Sequence, residues 1–245
     1  MNKNSAFFYD RADELDSLCK LMQKTFPHSS VLCVDSLISE IKRLRQTAET
    51  AITPESWGYS INNVIMPLED GLCHLVPSGI NPRLCISSHI LSDISSWKKS
   101  GDPFLELSFH ATIYGDIDGE KYSFGVHIDR ENREGLKEWH PLYHLHFYEG
   151  EKSTDSFCWG NLIHTDSPRV PHYPVDFILG IGWCLTNFYP KGKFSTCLKD
   201  QSFPQIYKRY QDRILKSYYQ AISSIWGKCD NINWPDKRKL CPQIV

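Results

Sequence analysis

The sequence predicts an α+β fold in which an antiparallel β meander, over about residues 104–165, packs against helices from both ends of the chain. Three observations predict it: a strictly alternating run from Phe104 to Tyr114, turn residues directly after it, and apolar stripes of helical period toward each terminus.

From Tyr9 to Phe26, Leu15, Leu18, Cys19 and Met22 recur at helical spacing, with Asp10, Asp13 and Glu14 early and lysines late, as the helix dipole favours. A second helix starts at Asp35 or Ser36 and carries Leu37, Ile38, Ile41 and Leu44 on one side. Residues 58–87 mix short apolar runs with Pro67, Gly71, Pro77, Gly79 and Pro82, a pattern of short strands or loops. A short helix is expected from Ser88 to Trp97. After the meander, Pro168, Pro171 and Pro174 lead into a nearly wholly apolar helix, Val175–Phe188, begun by Pro174. A last helix runs from Gln205 to Trp226, and the tail Cys229–Val245 reads as an extended strap.

These elements are expected to form one domain, residues 1–245. Its N-terminal part, 1–100, is helical, and a β core with C-terminal helices fills 101–245. A chain of 245 residues with 41% hydrophobic content can close a core without disulfide or metal staples. A formal charge of −2 lacks the long-range positive field of a protein that coats nucleic acid. Nine scattered cysteines, none in a C-x-x-C pair, read as reduced thiols, with Cys158 and Cys184 in the core. With no secretory signal and no run of membrane-spanning length, the expected address is the cytoplasm. Phosphate-loop, dinucleotide, G-x-S-x-G and H-E-x-x-H motifs are missing, so no nucleotide cofactor is expected.

The chemistry gathers in the meander. Leu105, Leu107, Phe109, Ala111 and Ile113 share one side of the first strand, and Glu106, Ser108, His110, Thr112 and Tyr114 the other. Beyond the turn Gly115–Gly119, Tyr122, Phe124, Val126 and Ile128 face the core, opposite Ser123, Gly125, His127 and Asp129. Keeping the apolar sides together requires paired positions to sum to an odd number. A hairpin centred between Asp118 and Gly119 makes that sum 237 and sets His110 opposite His127. A third strand within 140–147 puts His144 and His146 on one side.

His127, His144, His146 and Asp129 are thus the candidate ligands of a divalent metal ion. His110, His127, His144 and His146 are candidate acids and bases, with Arg169 to hold phosphate. The expected activity is hydrolytic cleavage of a phosphodiester in RNA or DNA. The alternative is a non-catalytic subunit that binds a partner protein encoded nearby.

Two resemblances bear on this. The string Tyr143-His144-Leu145-His146-Phe147 is similar to the histidine pair of rolling-circle nickases, which implies an attacking tyrosine among Tyr207, Tyr210, Tyr218 and Tyr219. The block His140-Pro-x-x-His144-x-His146-Phe147, followed by Pro168-Arg169-x-Pro171-His172, resembles uncharacterised bacterial proteins of toxin–antitoxin and phage-defence loci. It covers about a fifth of the chain and implies a bacterial antiviral-defence component, without supplying a reaction.

Overall fold

In the computed structural model, which describes residues 3–27, 29–52, 54–68, 81–133, 140–148, 169–227, 234 and 239–242, six strands form one antiparallel sheet in sequence order. Helices α1 (Ser5–Thr25) and α2 (Asp35–Glu49) lead into β1 (Ser56–Pro67) and β2 (Arg83–Asp93), followed by the single turn α3 (Ile94–Trp97). Strands β3 (Glu106–Ile117), β4 (Glu120–Arg130), β5 (Tyr143–Tyr148) and β6 (Val170–Pro171) complete the sheet. Helices α4 (Phe177–Phe188), α5 (Lys191–Cys197), α6 (Phe203–Tyr210) and α7 (Lys216–Ser223) close the fold, with a π-helical segment, Gln211–Leu215, joining the last two. The α+β class and the meander are those the sequence predicts. The part of the expected meander from 149 to 165, with Cys158, lies outside the described residues, as does most of the tail. No described helix is long and apolar enough to cross a membrane.

The first hundred residues are not only helical: they supply β1 and β2. The expected Ser88–Trp97 helix is instead the end of β2 followed by α3. Both differences have local causes. In β1, Trp57, Tyr59 and Ile61 point inward, then a register shift between Ile61 and Val64 changes the phase so that Val64 and Met66 point inward. Asn63 at the shift takes φ 55°, in the left-handed region that asparagine tolerates. In β2 the inward set is Leu84, Ile86, Ser88, Ile90 and Ser92, so two buried serines interrupt the apolar alternation.

Helix α4 packs on β2 and β3, and α2 packs on β1. A Cβ on Gly180 would come within 2.0 Å of the Phe109 ring, so only glycine lets α4 sit this close to β3. The helix is capped by Asp176, whose carboxylate accepts from Leu179 N at 2.9 Å, and not by Pro174. Glu14, 4% exposed, joins α1 to α6 by pairing with Arg11 and Arg209 and accepting from the Tyr210 hydroxyl. The π-helical segment turns Arg213 toward the α3 corner, where its guanidinium donates to the carbonyls of Ser96, Trp97 and Gly101.

Every described helix that packs on the sheet does so on one face, the face of Phe109, Val126, Ile128 and Tyr143. Burying one such side chain contributes about 1.5–3 kcal/mol, which fixes the face and therefore the direction of every alternate residue. The opposite face receives the polar set.

Candidate metal and acid–base centre

The β3–β4 hairpin turns at Asp118 (φ 52°) and Gly119 (φ 87°), a two-residue turn whose positive dihedrals match the twist of paired strands. It sets the register at His110 opposite His127, the pairing derived from the sequence, and β5 then adds His146 opposite His127 and His144 opposite Asp129. Two rows result on the polar face. One reads Ser60, His89, Ser108, Asp129, His144, Pro171 across the six strands, and its neighbour reads Ser87, His110, His127, His146.

Asp129 is the hub. One of its oxygens lies 3.8 Å from His110 Nε2, and the other lies 3.7 Å from His127 Nδ1 and 3.3 Å from His146 Nε2. Burial alone would push this carboxyl up, but the contacts with His110, Ser108 and His127 outweigh it and hold it at about 2. Burial is also the main cause that lowers His127 to about 4, with His110 beside it acting in the same sense. His144, 4% exposed, is lowered by burial against a hydrogen bond to Pro141.

Four residues were expected as one ligand set, and the geometry divides them. Asp129, His144 and His146 each bring one ligand atom within 4.8 Å of the others and could hold a metal ion; His127 falls in a second such group with His110 and Asp129. The reason is the row structure: His144 faces Asp129, so His127 and His144 are only diagonal neighbours.

Ring orientation separates the two groups further. An imidazole binds an ion near its own plane, at about 2.0–2.1 Å for zinc. His110 and His127 stack at 3.5 Å with 27° between their planes, so their lone pairs run side by side and do not converge. His144 and His146 are inclined by 44°, with ring centroids 5.7 Å apart. His144 Nδ1 lies 3.2 Å from the Pro141 carbonyl, which only accepts, so Nδ1 carries the proton and Nε2 keeps its lone pair. A backbone carbonyl orienting an imidazole in this way is the usual outer support of a metal-binding histidine.

Other expected residues fall at varying distances from the hub. Arg169 immediately precedes β6, one residue outside the Leu145–Val170 pair. Glu106 is engaged one strand away by His89 at 3.0 Å. His140 meets Glu131 at 3.0 Å, and its ring lies 6.1 Å from that of His144. The His172 ring lies 4.1 Å from that of Tyr173 at a tilt of 34°, and its Nδ1 lies 2.7 Å from the Tyr173 carbonyl. Tyr210, one of the tyrosines the nickase pattern implies, is buried against Glu14.

Ser108 was not singled out by the sequence, although alternation had already placed it on the histidine side. Its hydroxyl oxygen lies 2.6 Å from His110 Nε2. A serine on a strand has no signature, and only this distance marks it.

Comparison with protein-family models, curated proteins and solved structures returns no match. The chemistry of the centre rests on its own geometry.

Proposed function

We propose that the chain is a metal-dependent hydrolase that cleaves phosphodiester bonds in RNA or DNA. Asp129, His144 and His146 hold a divalent ion, His110 is the base, and Arg169 steadies phosphate. The observation that carries this reading is the convergence of one carboxylate and two differently inclined imidazoles from adjacent strands. It leaves room at the ion for water or a phosphoryl oxygen. The defence or toxin–antitoxin setting implied by the His-Pro-x-x-His-x-His block belongs to the same proposal.

The test is elemental analysis with cleavage of labelled RNA and single-stranded DNA, for the wild type and a His144→Ala/His146→Ala double variant. Wild type should carry metal and be stabilised by it, by about 2.7 kcal/mol at a free concentration of 100 Kd. The double variant should lose the ion and more than about a hundredfold in rate. A folded double variant that cleaves like wild type refutes the reading.

A second reading, a partner-binding subunit, draws on the exposed Tyr122, Phe124 and Val170, apolar residues facing water. Co-purification with one protein at fixed stoichiometry, without metal, would favour it.

A further inference from the structure

We propose that Ser108 is the nucleophile of this centre and forms a covalent phosphoryl-serine with the substrate, an inference that rests on the phosphodiester reading above. Of the other buried serine hydroxyls among the described residues, those of Ser5, Ser92, Ser217 and Ser224 donate to backbone carbonyls, and that of Ser88 lies on the helix-covered face without a hydrogen-bond partner. Ser108 instead meets a ring nitrogen at 2.6 Å, inside the range of about 2.6–3.2 Å that links a nucleophile to its base.

Its surroundings suit the role. Ser108 is half-buried near the start of β3, and both flanking strands hold it in register, between His89 on one side and Asp129 on the other. The His110 ring is steadied by its stack on His127. Neighbouring strands lie about 4.7–4.9 Å apart. Ser108 thus stands one strand from Asp129 and two from His144, a separation that a phosphoryl group held by an ion at those ligands can bridge.

In the first half-reaction the Ser108 oxygen bonds to phosphorus and its proton passes to His110 Nε2. The bond from phosphorus to the leaving oxygen breaks, and that oxygen keeps the electron pair and takes a proton from water. In the second half-reaction a water attacks the phosphoryl-serine, the Oγ–P bond breaks, and His110 returns its proton to Oγ. The attacking water's surplus proton neutralises the hydroxide left from the first half. The sum is one water consumed, with a phosphomonoester and an alcohol released.

The test is labelling of the full-length protein with a fluorophosphonate probe, followed by peptide mapping. The Ser108 oxygen should displace fluoride, giving a single adduct on the Ser108 peptide. Ser108→Ala should give none while binding zinc like wild type, and His110→Gln should label about a hundredfold more slowly. An adduct on any residue but Ser108, or none on folded wild type, overturns the proposal whether or not the alanine variant folds.

Phosphodiester cleavage by zinc-loaded Ser108→Ala at the wild-type rate also overturns it, leaving water as nucleophile and the metal reading intact. Labelling of Ser108 in a chain that binds no metal upholds the serine and removes the metal-dependent function instead.

Discussion

Phe109 and His110 are adjacent in sequence and lie on opposite faces of one sheet, and the two faces handle a buried carboxylate in opposite ways. On the helix-covered face Asp176 is fully enclosed, and burial pushes it up to about 7 despite hydrogen bonds from Leu179 N and the Tyr59 hydroxyl. On the other face Asp129 is a quarter exposed and held at about 2 by the imidazoles and serine around it. Asp176 has a structural task, capping α4. No described helix is capped by Asp129, and its partners are three imidazoles and the Ser108 hydroxyl. Polar groups that the packing does not need are free for chemistry.

The largest expected effect tests that division directly. Phe109→Ala, which empties the space beneath Gly180, should cost about 3–5 kcal/mol in urea unfolding. His110→Ala, one residue away, should change stability by less than about 1 kcal/mol while sharply lowering phosphodiester cleavage. Comparable losses of stability from both would show that the histidine face is part of the scaffold.

The next prediction uses the opposite shifts of the two faces, in metal-free protein. His127 falls from 6.5 to about 4 on folding, so the unfolded chain takes its proton first. Its contribution is therefore full above pH 6.5 and is lost as pH falls toward 4, by about 3 kcal/mol. Asp176 rises from 3.8 to about 7, so its contribution is full below pH 3.8 and is lost as pH rises toward 7, by about 4 kcal/mol. Between pH 4 and 6.5 the slopes oppose, with His144 and His172, also lowered by burial, adding to the side of His127. Wild-type stability should therefore rise with pH across this window. Relative to wild type, Asp176→Asn should gain stability more steeply as pH rises, and His127→Gln less steeply. Profiles parallel to wild type in both variants would mean that neither group senses its face as described.

Much of this division was legible in the sequence because alternation is a parity rule. Once Phe109 and Val126 are assigned to the core, His110 and His127 must share the other side, and the turn at Asp118–Gly119 selects their pairing. Parity does not resolve rows, so the split of the ligands into His144 and His146 against His110 and His127 needed coordinates. Nor does it survive a bulge or inward serines, so residues 58–87 read only as short strands or loops and the end of β2 as a helix. Asp176 was passed over as the α4 cap because Pro174, two residues earlier, has a well-known place at helix starts. Ser108 was visible as a position but not as a partner, since a 2.6 Å contact depends on rotamers.

The smallest expected effect lies where the two faces stop being different. Phe124 points to the same side as Phe109 but is 44% exposed, at the hairpin end of β4. Its ring meets Phe147 of the next strand at 5.8 Å, a cross-strand contact of the kind that contributes about 0.2–1 kcal/mol. Phe124→Thr keeps a strand-forming residue and should therefore cost no more than about 1 kcal/mol in urea unfolding, against the several lost at Phe109. A cost near that of Phe109→Ala would mean that this end of the sheet is covered in solution, and the variant's elution volume beside wild type would tell whether a second chain supplies the cover.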